Sequence, residues 1–165
     1  MRLEKEDWVK AAICVLNEKG VDCVKVDPIA KRLGVTRGSF YWHFKDRQDL
    51  LDHMLDYWAS EFNLVITENQ RLMELEPAQR LQAITEIVIE KKLLKYELAI
   101  RAWAAHDDSA LAMFERIYQR RMEVIRQVFA DAGFDESEQE VRAQTFLCHL
   151  AWGGTMQGEA HSHRA

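Results

Sequence analysis

Proline and glycine are both scarce, with two and seven in 165 residues. That leaves little to interrupt helices, and no alternating β-branched run competes with them, so an all-helical protein is expected. Cysteine is nearly absent too. The three present are odd in number, form no C-x-x-C, and imply free thiols rather than a disulfide framework. Cys14 lies among Ala11, Ala12, Ile13 and Val15 and reads as a small buried hydrophobe. No apolar run approaches the roughly 18 residues of a membrane span. The opening MRLEKEDW has no apolar signal core, so a cytoplasmic chain without membrane contact is expected. Catalytic signatures are missing as well: no G-x-S-x-G, no P-loop, no dinucleotide fingerprint. With no H-E-x-x-H and no Cys/His cluster, neither a metal nor a cofactor is expected, and the chain does not read as an enzyme. Overall positive charge is lacking: the formal net charge is −5, which argues against a generally basic nucleic-acid binder.

What is present is a large apolar fraction, 48% of residues, enough for a real core. The charge is also uneven. Residues 1–50 hold ten Lys/Arg and eight Asp/Glu, while the rest hold twelve and nineteen. A slightly positive head on an acidic body suits an oriented contact with phosphates, because local charge meets them.

The stretch that organises the chain is 26–51, VDPIAKRLGVTRGSFYWHFKDRQDLL. Asp27 reads as an N-cap with Pro28 at the first helical position. Ile29, Ala30 and Leu33 give an apolar face, and Gly34 ends the helix. Val35 plugs the corner. Thr36 caps a second helix over 37–44, in which Phe40 and Phe44 share an inward face. Two short helices joined by a Gly-containing turn describe a helix-turn-helix. Thr36, Arg37 and Ser39 are then placed to approach base edges in a major groove. Tyr41, His43, Lys45 and Arg47 suit phosphate oxygens.

The run LGVTRGSFYWHFKDRQDLL resembles the DNA-binding segment of the TetR family of bacterial transcription regulators. The likeness lies in Ile29-Ala30, Leu33-Gly34-Val35, Gly38, Phe40-Tyr41, His43-Phe44, Lys45 and Leu50. The resemblance puts Thr36, Arg37, Gly38, Ser39, Tyr41, Trp42 and His43 at DNA-facing positions. Arg47 stands where the family usually has Lys. Lys25 stands where it often has a hydroxyl, so an ammonium would make that phosphate contact. Before the first helix there is almost no basic arm, so little minor-groove reading is expected.

Along the chain, the first helix is expected over 3–19 with Trp8, Val9, Ala12, Ile13 and Leu16 inward. Asp46 caps a long helix over 47–74, about 40 Å at full length, able to act as a lever. Further helices are expected at 78–93, 96–106, 109–132 and 136–157, about eight in all. The expected division is a helix-turn-helix domain, 1–46, and a helical regulatory and dimerisation domain, 47–165. Residues 99–154 resemble, more loosely, the regulatory body of a TetR subgroup through AIRAWAAHD and DAGFDESEQEVRAQ. Pairing through the last two long helices, with small residues at Ala143, Ala151, Gly153 and Gly154, would build a four-helix bundle. A small-molecule effector of unknown identity would be held by Trp58, Phe62, Trp103, His106, Phe114 and Tyr118. Trp103 and His106, three apart, are expected to share a face.

The resulting reading is a homodimeric repressor released from a palindromic double-stranded DNA operator by a small ligand. Two rivals stand beside it: a helical dimer acting through a protein partner, and a small enzyme on a helical bundle.

Overall fold

The computed structural model describes the backbone of residues 3–62 and 69–159 and the side chains of 3–60 and 69–151. Every regular element among them is helical: nine α-helices and one 3₁₀ turn, with no strand. The chain divides into two compact units, Met1–Ser60 with Leu98–Phe114, and Glu61–Glu97 with Glu115–Ala165.

The first unit opens with α1, Lys5–Lys19, whose start is tied by the Asp7 carboxylate accepting the Glu4 N–H at 2.8 Å. Trp8, Val9, Ala12, Ile13 and Leu16 are buried as expected, joined by Ala11 and Val15. Cys14 is half-buried, while Cys23 and Cys148 are exposed, all as free thiols. After Gly20 comes a 3₁₀ turn, Val21–Cys23. Helix α2, Val26–Leu33, starts before the expected Asp27 cap: Lys25 is the extended flanking residue, and its carbonyl accepts the Ile29 N–H at 3.3 Å. Pro28 then falls inside the first turn, where a helix has no use for an N–H anyway. Gly34 closes α2 in the left-handed region, φ 70°, and the Val35 N–H returns to the Ala30 carbonyl at 3.0 Å.

Helix α3, Arg37–Phe40, is half the length expected, and a turn carries the chain to Phe44. The Phe44 N–H still reaches the Phe40 carbonyl at 3.0 Å, so the two rings keep their helical offset and stack at 5.1 Å. Trp8 meets Phe40 edge-on at 5.4 Å. Buried rings of this size are worth about 3–5 kcal/mol each against alanine, which is why a four-residue helix is held at all. Helix α4, Arg47–Phe62, is capped by Asp46, whose Oδ1 accepts the Asp49 N–H at 2.9 Å. Helix α7, Glu97–Ala104, buries Ile100, Trp103 and Ala104. Asp107 Oδ1 accepts the Ala110 N–H at 2.9 Å and starts α8, Asp108–Asp131.

In the second unit the expected single helix over 47–74 is corrected. Asn69 is extended, φ −83°, ψ 92°, and precedes a separate short helix α5, Gln70–Met73. Asn, and the β-branched residues before it in the sequence, are weak helix formers, and Asn favours a terminus. This division turns the expected eight helices into nine among the described residues. Pro77 sits at the first position of α6, Pro77–Glu90. That helix ends earlier than expected because Lys92 turns left-handed, φ 52°, and the Leu93 N–H closes back on the Val88 carbonyl at 3.1 Å. Asp135 starts α9, Glu136–Glu159, by accepting the Ser137 and Glu138 N–H groups, each at 3.0 Å. Leu72, Ile84, Val88, Leu93, Met122, Ile125 and Ala143 form this unit's core. Arg80, 7% exposed, clamps it: its guanidinium donates to Asp131 at 2.6 Å and to the Met73 and Leu75 carbonyls at 3.2 and 3.0 Å. No helix among the described residues is long and apolar enough to cross a membrane.

Candidate nucleic-acid interface

Helix α3 buries one side chain, Phe40, and offers the rest to solvent. Thr36, Arg37, Gly38, Tyr41, Trp42 and Lys45 are exposed, with Ser39 and His43 half-buried. Trp42 is 86% exposed and Tyr41 53%, so two large rings stand in water at the end of a short helix. Apolar surface held out in this way marks a contact surface rather than a core. The Ser39 hydroxyl donates to the Thr36 carbonyl at 2.7 Å, which tightens the helix start. Gly38 has ordinary helical geometry, and a Cβ there would meet only the Thr36 hydroxyl oxygen, at 3.8 Å. The protein's own packing therefore does not demand glycine at this position.

Charge on this face is organised from two helices. Arg37 Nη1 lies 3.4 Å from Asp27 Oδ2 on α2, and Nη2 donates to the Tyr41 hydroxyl at 3.5 Å. The Tyr41 hydroxyl first, and then the Asp27 charge, hold the guanidinium in its charged form. Lys25 is exposed and shares a groove with Lys19, Lys31 and Arg32, where Arg32 grips Glu18 through two bonds of 2.9 Å. Lys45 is exposed, and its backbone N–H donates to Asp49 Oδ2 at 2.8 Å. That bond is the main reason the Asp49 carboxyl lies below its usual range.

Arg47, expected at a phosphate, also braces the fold. Its Nε donates to the Val24 carbonyl at 2.6 Å and its Nη2 to the Val21 carbonyl at 2.7 Å. The Val21 carbonyl already accepts the Val24 N–H at 3.0 Å, whereas Pro28, four residues on from Val24, has no N–H to give the Val24 carbonyl; the guanidinium fork at the start of α4 supplies a donor to each. Three participants escaped the sequence reading. Asp27 was hidden by its expected role as a cap. Lys5 Nζ sits 2.8 Å from His53 Nε2 and 5.1 Å above the Phe44 ring, and His53 Nδ1 lies 2.7 Å from the Asp49 carbonyl. The spacing of Lys5 and His53 carries no local signal, because they meet across 48 residues.

The expected effector residues are only partly assembled. Trp58 and Phe114 stack at 6.0 Å with rings 3° apart, and Trp103 is buried. His106 is exposed and does not share Trp103's buried face, because α7 ends at Ala104 and the helical offset is lost. Tyr118 packs on the core of the second unit. The Phe62 side chain lies outside the described residues. On α8 and α9, Phe129, Val141, Arg142, Thr145, Phe146 and His149 line an open groove, with Val141 65% exposed. Among the described residues no three His, Cys, Asp or Glu side chains gather to hold a metal ion.

Comparison with known proteins places this geometry. Residues 9–54 match the family model described as bacterial regulatory proteins, tetR family. The chain is 34% identical over 86 residues to the HTH-type transcriptional regulator AcrR of Shigella flexneri, a match over 52% of this chain and 40% of that protein. It thus spans less than half the length of that curated relative. A transcriptional regulator from Rhodococcus sp. Rha1 superposes with a TM-score of 0.74 at 20% identity, over 93% of this chain and 82% of the other. AibR, crystallised with isovaleryl coenzyme A and operator DNA, superposes at 0.70 and 16% identity, over 90% and 84%. Those two likenesses establish a shared fold. Residues 9–54, which carry the exposed Tyr41-Trp42 face, are thus similar to the DNA-binding region of the tetR family of bacterial regulatory proteins, and the chain shares the fold of solved transcriptional regulators nearly end to end.

Proposed function

We propose that the protein is a homodimeric DNA-binding transcription regulator, a repressor that a small ligand releases from a palindromic operator. The observation that carries this reading is the short helix α3, anchored by Phe40 alone and presenting Thr36, Arg37, Gly38, Tyr41 and Trp42 outward. In this reading residues 1–46 bind DNA, 47–165 regulate and pair, and the chain acts in the cytoplasm rather than as an enzyme. Tyr41, His43, Lys45 and Lys25 contact phosphates, and Thr36, Arg37 and Ser39 approach bases. A helix this short reads few base pairs, so a two-fold dimer with two half-sites is the economical arrangement. The apolar groove on α8 and α9 supports pairing through those helices. Trp58, Trp103 and Phe114 remain the aromatic candidates for an effector wall. That AibR was crystallised with both an acyl coenzyme A and operator DNA supports ligand control of DNA binding in this fold.

The test is selection of fragments by the purified chain from a random duplex pool, followed by salt titration on the enriched sequence. Enrichment of a palindrome with half-sites about one helical turn apart, bound more weakly as salt rises, is the expected result. No enrichment at low salt would favour the partner-binding reading instead.

A further inference from the structure

We infer that Asp27 is a specificity-determining positioning residue, which holds the Arg37 guanidinium for a G·C base pair and keeps it from the phosphates. The inference rests on the DNA-binding reading above and deepens it. Its origin is the early start of α2. With Lys25 flanking the helix, Asp27 is freed from capping and projects from the first turn toward α3. There its Oδ2 lies 3.4 Å from Arg37 Nη1, while the Tyr41 hydroxyl takes Nη2 at 3.5 Å from the other side. The guanidinium is therefore held from two helices, at the edge of the face that carries Trp42.

Stability of the free protein does not account for the arrangement. Both side chains are largely exposed, 61% for Arg37 and 67% for Asp27, and exposed pairs of this kind add little. Nor does general affinity for DNA. A carboxylate on a surface that meets phosphates repels them, so Asp27 weakens non-specific binding. A carboxylate there is useful when a base edge offers it a donor. In the major groove guanine presents two adjacent acceptors, N7 and O6, and its paired cytosine presents the N4 amino donor. An arginine fork beside an aspartate oxygen is the complement of that row. A·T pairs break the row, because adenine sets a donor beside N7. Opposed to an A·T pair, the arginine loses one bond and the carboxylate is left desolvated without a partner. Discrimination thus comes from a penalty on the wrong base as well as a bond to the right one.

The experiment compares the intact chain with Asp27→Asn, Arg37→Ala and the double variant. Each is carried through duplex selection and then titrated on its enriched site and on random duplex at several salt concentrations. Asn keeps the size of Asp, and circular dichroism confirms the fold of each variant. Asp27→Asn is expected to relax the G·C preference at one position of each half-site by roughly tenfold, the scale of one good base contact. Its affinity for random duplex is expected to stay level or rise. Arg37→Ala loses preference at the same position, and the double variant loses no more than Arg37→Ala alone. If Asp27→Asn weakens all sequences equally, or leaves the preference intact, Asp27 has no part in specificity even though the protein binds DNA. If the intact chain enriches no sequence, the DNA-binding reading falls and this inference falls with it.

Discussion

Gly38 and Arg47 show how a side chain's surroundings separate binding from support. A methyl group at Gly38 would meet nothing closer than 3.8 Å in the free protein. Gly38→Ala is therefore expected to stabilise the fold by about 0.5 kcal/mol, since Ala is the better helix former. If α3 approaches DNA closely there, the same change weakens operator binding by about tenfold, the loss of one good contact. Urea unfolding and a DNA titration on one protein sample test both halves. Arg47 and Lys45 form a second contrast. Arg47→Ala removes the donor to the Val24 carbonyl and a second donor to the Val21 carbonyl and is expected to destabilise the protein by about 2 kcal/mol. Lys45→Ala leaves stability unchanged, lowers affinity for every sequence, and reduces the salt slope by about 1. A destabilised Lys45→Ala and a stable Arg47→Ala would reverse the two assignments.

Three helix starts in this molecule are written by aspartate. Asp46, Asp107 and Asp135 each accept a first-turn N–H. Asp49 adds a bond from the Lys45 N–H, and that bond holds its carboxyl below the usual range. Asp135 is lowered first by the Ser137 hydroxyl and then by backbone N–H groups. A carboxyl lowered in the folded state contributes stability above its unfolded pKa of about 3.9, and that contribution is lost as pH falls through the lower folded value. Thermal unfolding is therefore expected to be steepest in pH dependence below about pH 4. An Asp135→Ala variant should be less stable at pH 7 and should converge on the parent in strong acid. A constant difference across the pH range would show that the carboxylate charge is not what the cap supplies.

At the scale of the whole molecule the prediction is assembly. Val141 is 65% exposed in the groove on α8 and α9, so the fold of a single chain does not depend on it. Val141→Glu is expected to leave circular dichroism unchanged while moving sedimentation from dimer to a 19.3 kDa monomer, because a buried unpaired carboxylate at an interface is costly. Operator binding should weaken in step, since the two half-sites would no longer be linked. A Val141→Glu protein that stays dimeric would place the pairing surface elsewhere.

Local chemistry alone determined the helices, most of their ends, and the apolar stripes they bury. Gly34 and Gly133 at helix exits, Asp46 and Asp135 at entries, and Phe40 four residues before Phe44 are all interactions within a few positions, and these are legible in a sequence. The exposed run from Thr36 to Lys45 was legible for the same reason, as closely spaced residues with one inward ring face. Tertiary structure decided the rest. Lys92 ends α6 in a conformation its type seldom adopts, so no local mark announces it. Arg47 turns inward because a distant turn presents the Val21 and Val24 carbonyls to it, Asp27 meets Arg37 because α2 starts early, and His106 is exposed because α7 stops short. In each case the deciding partner, or the deciding boundary, comes from how elements meet. Periodicity records only which residues share a face, and it is silent about what that face will touch.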